Sequence, residues 1–127
     1  MIRLDIPVSE IVTRNPAVCR PDALVKDCVH LMVEHSTVVL PVCDDTGLVI
    51  GLVTEIDLVK AGSRYKKIGE VMNKEFQVVT EHSSLAEVLR IIANTGQHAV
   101  PVVTPGRRLE GLVGATDIMK LCAKEFG

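Results

Sequence analysis

The sequence predicts an α+β fold made of two tandem repeats that are related by a pseudo-twofold axis. Sliding the chain on itself by 60 residues aligns residues 8–60 with residues 68–120 without a gap, and nine positions are then identical. Within each copy, apolar runs typical of buried strands alternate with apolar positions at helical spacing, in the order helix, strand, helix, strand, strand, helix. Two copies are too few for a solenoid, and a free unit of about 60 residues buries little of its surface. We therefore expect the two repeats to share one core.

The division of the chain follows the repeats. Residues 1–62 form the first repeat, residues 63–67 a charged linker that we expect to be solvated, and residues 68–127 the second repeat. The chain is 47% hydrophobic but only 2% aromatic, so its core must be built from aliphatic side chains.

Caps, turns and hydrophobic periodicity predict the elements of the first repeat. Pro7 suits the first turn of a short helix, Asp22 is a suitable cap for the second helix, and Gly62 ends the third. The predicted elements are helices at residues 7–13, 22–35 and 54–61 and strands at residues 18–20, 38–42 and 48–53, with a hairpin turn at residues 44–47.

The second repeat follows the same order. Ser84 and Glu87 have the spacing of a capping box before the long helix. The predicted elements are a helix at residues 84–95, strands at residues 98–103 and 109–113 around a turn at residues 105–106, and a last helix that follows Gly114 or Thr116 and ends near Lys124.

Thr54 and Asp57 stand where the last strand of the first repeat becomes a helix, and their spacing has two interpretations. In a capping box, Thr54 accepts a hydrogen bond from a first-turn N–H and Asp57 reaches back to the N–H of Thr54. In a binding site, the same hydroxyl faces an anion at the helix start, and the same carboxylate accepts hydrogen bonds from a ribose diol. The second repeat has Asp117 at the equivalent position, but Gly114 replaces the hydroxyl.

Composition and motifs argue against several functional classes. The net charge of −2, without a long basic stretch, gives no electrostatic case for nucleic acid. Because no apolar run reaches membrane-spanning length and the N-terminus does not resemble a signal peptide, we expect a cytoplasmic protein without membrane contact. The histidines lack metal-binding spacing, and neither G-x-G-x-x-G nor a P-loop occurs, so we expect no metal and no enzymatic activity.

The four cysteines are Cys19, Cys28, Cys43 and Cys122, and no two of them form a C-x-x-C pair. The first three align with valines of the second repeat, which indicates positions that accept an aliphatic side chain. We therefore interpret the cysteines as reduced core thiols, with a disulfide or a metal role as the alternative.

Each repeat resembles a CBS domain, the motif first named after cystathionine β-synthase. The residues that carry the resemblance are Ile11-Val12-Thr13, Val18 to Ala23, Leu40 to Asp44 and Gly51 to Asp57 in the first repeat, and Val71-Met72-Asn73, Val78 to Thr80, Val100 to Val103 and Gly111 to Asp117 in the second. Their order, found twice, covers nearly the whole chain, which is similar to a stand-alone CBS pair, or Bateman module. The resemblance implies βαββα-type repeats whose small mixed three-stranded sheets pack together with helices outside.

The resemblance also implies two clefts between the repeats. In the family, the Asp at the end of the motif binds ribose hydroxyls, and the Ser or Thr three residues earlier faces phosphate or ribose. Aliphatic residues before the Pro-Val pair line the adenine slot, and residues before the first strand complete the cleft of the opposite repeat. The implied first cleft comprises Thr54, Asp57, Val38, Val39, Pro41, Leu52, Phe76 and Gln77. The implied second cleft comprises Asp117, Thr116, Gly114, His98, Ala99, Pro101, Leu112, Pro16 and Ala17.

The sequence and the resemblance together predict a non-catalytic sensor without a required cofactor. Its regulatory ligand would be AMP, ADP, ATP or S-adenosylmethionine, and ligand binding would shift a conformational population that an enzyme or transporter partner detects. A homodimer shaped as a flat disc is expected from the resemblance and from the apolar first helices of the two repeats. The departure at Gly114 predicts tighter binding in the Asp57 cleft. The alternative is a structural or protein-interaction module with vestigial clefts, in which Thr54 and Asp57 serve only the capping box.

Overall fold

The opening segment of each repeat does not lie in the same unit as the rest of that repeat. The computed structural model describes residues 1–127 and divides them into two units. The central unit is Ala17–Phe76, and the outer unit joins Met1–Pro16 to Gln77–Gly127. The opening segment of one repeat therefore completes the unit that holds the last strands of the other.

Five strands and five α-helices follow a short 3-10 turn at Val8–Glu10. In chain order they are β1 (Thr13–Arg14), α1 (Val25–Glu34), β2 (Val39–Cys43), β3 (Val49–Thr54), α2 (Glu55–Lys60), α3 (Ile68–Val71), α4 (Leu85–Thr95), β4 (Ala99–Val103), β5 (Leu109–Gly114) and α5 (Ala115–Phe126).

The central unit is built on the antiparallel hairpin of β2 and β3, in which Pro41 lies opposite Leu52. Asp44 organises the turn between the strands, because its carboxylate accepts hydrogen bonds from the backbone N–H groups of Thr46 and Leu48. A parallel bridge from Cys19 to the hairpin and an antiparallel bridge from the segment after α3 extend the sheet. The buried side chains of the unit include Cys28, Met32, Leu40, Val42, Val53 and Ile68.

The outer unit contains a three-stranded antiparallel sheet in the order β1-β5-β4. Pro101 of β4 lies opposite Leu112 of β5, and Thr13 of β1 pairs with Leu112 from the other side. A parallel bridge joins Val79 to Val102. The core consists of aliphatic side chains: Val8, Val79, Val88, Ile91, Val100, Val102 and Val113. Both units thus have the predicted α+β composition and the small sheets.

The first predicted helix, at residues 7–13, is wrong. The chain makes only the 3-10 turn and then enters β1. Long-range pairing explains the difference, since the N–H groups of Val8 and Ser9 donate to the carbonyl groups of Ser83 and Glu81. The predicted strand at residues 18–20 likewise shrinks to the single bridge of Cys19.

The helix α1 begins later than predicted, and Asp22 does not cap it. Leu24 occupies the N-cap position, and its N–H donates to the carboxylate of Asp27 over 3.4 Å. The next two N–H groups, of Val25 and Lys26, donate to carbonyl groups of the linker. The side chains of the linker are exposed as expected. Its backbone carbonyl groups, however, accept hydrogen bonds from the first N–H groups of α1, which have no partner within the helix.

Two of the four cysteines differ from their predicted state. Cys19 and Cys28 are fully buried, as expected, but they form a disulfide, with Cα atoms 6.6 Å apart. The disulfide joins the bridge segment to α1, and the interpretation of both residues as reduced thiols is therefore wrong. Cys43 is a free, buried thiol, as predicted, and burial raises its pKa. Cys122 is also free but only partly buried.

The glycines that both repeats share, Gly51 and Gly111, lie where another segment crosses the last strand. A Cβ atom at Gly111 would lie 2.7 Å from the carbonyl oxygen of Thr13. A Cβ atom at Gly51 would lie 2.9 Å from Cγ of Met72 and 3.2 Å from the carbonyl oxygen of Asn73. Because Thr13 and Asn73 are equivalent positions of the two repeats, the same close approach explains both glycines.

Candidate functional site

Thr54 and Asp57 form a complete capping box at the start of α2. The carboxylate oxygen Oδ2 of Asp57 accepts hydrogen bonds from the Thr54 N–H at 2.8 Å and from the Thr54 hydroxyl at 3.0 Å. The hydroxyl oxygen in turn accepts from the N–H of Asp57 at 3.3 Å. Both residues are partly exposed. The capping interpretation is therefore confirmed for Thr54, whose side chain is engaged as donor and acceptor.

The same box leaves one carboxylate oxygen of Asp57 open. Both hydrogen bonds from Thr54 end on Oδ2, and within the central unit no donor reaches Oδ1. A carboxylate accepts up to about four hydrogen bonds. Capping and binding are thus compatible, because the two functions use different oxygens of one carboxylate.

The hairpin places part of the predicted first cleft beside this carboxylate. Val39 lies opposite Thr54 in the strand register, and the carbonyl group of Val38 accepts from the N–H of Glu55. The side chain of Val38 is 53% exposed, whereas Val39 is buried. Val38 thus offers an exposed apolar surface at the junction of β3 and α2, the junction that also holds Asp57.

The other residues of the predicted first cleft are less accessible or lie elsewhere. Pro41 and Leu52 are buried as partners in the hairpin and leave almost no surface for a ligand. Phe76 is partly buried at the end of the central unit. Gln77 belongs to the outer unit, where its backbone N–H and carbonyl group both bond to the side-chain amide of Gln97.

The equivalent carboxylate of the outer unit, Asp117, is engaged on both oxygens. Its Oδ2 accepts from the N–H of Gly114 at 2.8 Å. Its Oδ1 accepts a short hydrogen bond from the hydroxyl of Thr13 in β1. Thr116 is exposed and its hydroxyl takes no part in this arrangement. A hydroxyl does accompany Asp117, but it comes from a segment about a hundred residues away in sequence.

The remaining residues of the predicted second cleft fall into two groups. Ala99 and Pro101 are buried in β4, and Leu112 is partly buried between β1 and β4. His98, just before β4, is exposed. Pro16 ends the opening segment of the outer unit, and Ala17 packs against the core of the central unit.

Thr13 is the residue that sequence reasoning missed. It stands in a motif that supports the family resemblance. The equivalent residue of the second repeat is Asn73, however, so the alignment of the two repeats shows no identity at this position. Only the pairing of β1 with β5 brings it to Asp117, and nothing in the local sequence predicts that pairing.

An apolar groove lies on the helical side of the central unit. It has a volume of about 410 Å³ and is lined by Val29, Met32, Val33, Ser36, Thr37, Val38, Glu55, Leu58 and Val59. Val33 and Val59 are 75% and 82% exposed. The Oε2 atom of Glu55 is buried there without a hydrogen-bond partner.

No three or more His, Cys, Asp or Glu side chains cluster so that they could hold a metal ion. No helix has the length and apolar character needed to cross a membrane.

The chain belongs to the CBS-domain family, whose sequence model matches residues 8–64 and 68–124. Its two matched segments make it a CBS pair, and solved CBS pairs share its fold. The CBS domains of a transcriptional regulator from Streptococcus pneumoniae superpose with a TM-score of 0.83 at 25% identity, covering 91% of this chain and 98% of theirs. The CBS pair of protein MJ0100, solved with 5′-methylthioadenosine and S-adenosylmethionine, gives 0.86 at 25% identity over 94% and 97%. These comparisons confirm the α+β fold class.

The proteins that are similar in sequence differ in the share of their own length that this chain covers. An uncharacterized 17.7 kDa protein of Acidianus ambivalens is 30% identical over 89% of this chain and 71% of its own length. Two relatives from Methanocaldococcus jannaschii, an L-aspartate semialdehyde sulfurtransferase and an inosine-5′-monophosphate dehydrogenase, are both 27% identical. This chain spans only 23% and 22% of those two proteins.

Proposed function

We propose that this CBS pair is a non-catalytic regulatory module that binds an adenosine-containing ligand through Asp57. The observation that carries the proposal is the open Oδ1 atom of Asp57, held in place by the capping bonds that end on Oδ2. A ribose presents two adjacent hydroxyl donors, and a fixed carboxylate oxygen is a suitable acceptor for them. The hydrophobic side chain of Val38 offers a surface for the adenine ring.

Similarity to MJ0100 supports the ligand class. Both ligands in that structure contain adenosine, and so do AMP, ADP, ATP and S-adenosylmethionine. Their shared group is the adenine ribose, so the Asp57 site recognises adenosine, while the 5′ substituent decides among the ligands. No cofactor is required for this function, and the signal passes to an enzyme or transporter partner in the cytoplasm as a shift in conformational population.

Calorimetric titration tests the proposal directly. AMP, ADP, ATP, 5′-methylthioadenosine and S-adenosylmethionine are titrated into the wild type and into Asp57→Asn. The variant retains an oxygen that accepts from the Thr54 N–H but loses the charge. We expect it to weaken binding about tenfold or more, because a hydrogen bond to a charged group contributes about 1.5–3 kcal/mol.

Asp27→Asn is the matched control for that titration. Asp27 has the same place in the first turn of α1 that Asp57 has in α2, and its carboxylate bonds back to the N-cap residue in the same way. The control variant should bind ligand like the wild type. Equal loss of binding in both variants would show that helix capping, and not ligand contact, explains the effect of Asp57.

The second candidate function is a structural or protein-interaction module with vestigial clefts. The capping bonds favour it, because they engage the Thr54 hydroxyl both as donor and as acceptor. It predicts that none of the five ligands raises the melting temperature, whereas a ligand that binds only the folded state must raise it. A thermal-shift measurement with each ligand at millimolar concentration separates the two candidates.

We also propose that the chain forms a homodimer through Val33 and Val59, two strongly exposed side chains of the apolar groove. The first helices of the repeats no longer support this prediction, because Val8 and Ile68 are fully buried. The groove does support it, since Val33 and Val59 project from it and twofold packing of one patch against itself needs no other chain. Sedimentation should show a dimer for the wild type and a monomer for Val59→Lys. Lys60→Val, at the neighbouring exposed position, is the control that should remain dimeric.

A further inference from the structure

The two equivalent carboxylates of this CBS pair differ at their second oxygen, Oδ1. Asp117 Oδ1 accepts a hydrogen bond from the hydroxyl of Thr13, whereas Asp57 Oδ1 receives no donor within its unit. We propose that Thr13 is a specificity-determining residue: its hydroxyl occupies the Asp117 oxygen that a ribose would use, and so lowers the adenosine affinity of the Asp117 half. The inference rests on the proposed function and deepens it, because it assigns which half binds first.

The same strand register occurs in both halves, so the difference at Oδ1 lies in one side chain. Thr13 pairs with Leu112 in the outer unit, and Asn73 pairs with Leu52 in the central unit. Asn73 and Thr13 are 60 residues apart and therefore equivalent in the repeat. The side-chain oxygen of Asn73, however, accepts from the N–H of Glu75 at 2.9 Å and organises its own turn. No hydrogen bond runs from Asn73 to Asp57, so Oδ1 of Asp57 lacks the donor that Thr13 supplies to Asp117.

The position of the Thr13 hydroxyl makes it a competitor of the ligand. On Asp117, the Gly114 N–H already holds Oδ2, as the Thr54 N–H holds Oδ2 of Asp57. The atom that remains for a ribose diol is Oδ1, and Thr13 donates to it. A ligand must share this oxygen or displace the hydroxyl. Because Thr13 is exposed, the displaced hydroxyl can bond to water, so we expect a penalty of roughly three- to tenfold in affinity.

This cause is separate from the missing side chain at Gly114. Replacing Gly114 changes the helix cap on Oδ2, whereas replacing Thr13 changes only the occupancy of Oδ1. The two oxygens can therefore be tested one at a time.

The test weakens the Asp57 half with Asp57→Asn and, in this background, measures AMP binding to both halves by calorimetry. Thr13→Val removes the hydroxyl at nearly constant shape, and it should tighten AMP binding about three- to tenfold. Thr13→Ser keeps the hydroxyl and should bind like the background protein. Circular dichroism and melting temperature verify that the variants are folded.

The reciprocal substitution tests in the Asp57 half whether a hydroxyl at this position competes with the ligand. Asn73→Thr in the wild-type background places a hydroxyl opposite Asp57 and should weaken AMP binding there by about the same factor. Repeating the titrations with 2′-deoxy-AMP should shrink both effects, because that ligand has lost one hydroxyl of the diol.

The outcomes separate this inference from the proposed function. If AMP binds but Thr13→Val leaves the affinity unchanged or lowers it, Thr13 is not a competitor and the inference is overturned while the function stands. If AMP and 5′-methylthioadenosine bind to none of the proteins, the proposed function fails and the inference fails with it. Tighter binding of Thr13→Val together with weaker binding of Asn73→Thr supports both.

Discussion

Replacing Gly111 by Ala should destabilise the protein, although the same change usually stabilises one. A Gly→Ala substitution at an ordinary backbone conformation gains about 0.4–1 kcal/mol because the unfolded chain loses freedom. Gly111 has no positive φ that would forbid a side chain. Whether Gly111→Ala stabilises or destabilises the protein therefore depends only on the space around the new Cβ atom.

The structure leaves no space for that methyl group. The new Cβ atom would lie 2.7 Å from the Thr13 carbonyl oxygen, and it would also collide with the side chain of Val12. Backbone cannot rotate out of the way as a side chain can, so β1 must move from β5. Overpacking of this kind costs about 1–3 kcal/mol.

Gly51→Ala is the matched comparison. Its Cβ atom would lie 2.5 Å from Sδ of Met72, but a methionine side chain is flexible and can adopt another rotamer. The nearest backbone atom, the carbonyl oxygen of Asn73, is 3.2 Å away. We expect a destabilisation of at most about 1 kcal/mol, which is clearly smaller than that of Gly111→Ala.

Urea unfolding of both variants and the wild type measures the difference. For Gly111→Ala the transition midpoint should fall at an unchanged slope, since the slope reports the surface exposed on unfolding. A midpoint equal to or above that of the wild type for Gly111→Ala would refute the close-approach explanation of the shared glycines. Larger destabilisation by Gly51→Ala would refute the ranking.

Three further predictions concern other parts of the chain. Gly114→Ser should raise the melting temperature by roughly 2–5 °C, because a Ser at the N-cap adds an acceptor and the new Cβ atom has ordinary contacts of 3.7 Å to Ala99; a calorimetric scan with an unchanged or lower value would contradict this. Donation by the Thr46 hydroxyl lowers the pKa of Asp44, so this contact stabilises the fold above the unfolded-state pKa and is lost as pH falls through the folded one; NMR titration of Thr46→Val should show the pKa of Asp44 raised, and an unchanged value would disprove the contact. Glu55→Met should stabilise the chain by about 1 kcal/mol in urea unfolding, because it removes a buried oxygen that lacks a donor, and destabilisation would mean that the carboxylate has a partner.

Part of the candidate site follows from the sequence. The spacing of Thr54 and Asp57 at a strand-to-helix junction predicts the capping box, and the structure has it. Both hydrogen bonds run between residues three apart, so local geometry decides them. The hairpin of β2 and β3 was predicted for the same reason, with strand limits that differ by one residue.

The rest of the site depends on segments that are distant in sequence. The contact of Thr13 with Asp117, the linker carbonyl groups at the start of α1 and the disulfide of Cys19 all join residues that no local pattern connects. The prediction of a first helix was wrong for the same reason, because backbone pairing with residues 81 and 83 outweighed a weak helical preference.

By itself, the sequence determined the duplication, the family, the α+β class and the pair of carboxylates at equivalent positions. These are properties of periodicity and short-range spacing, which the order of residues contains directly. The substitution of Gly114 for a hydroxyl residue already predicted unequal halves. Only the tertiary structure decided that Oδ1 of Asp117 is occupied, because the hydroxyl that bonds to it comes from β1, and β1 reaches Asp117 only through its pairing with β5.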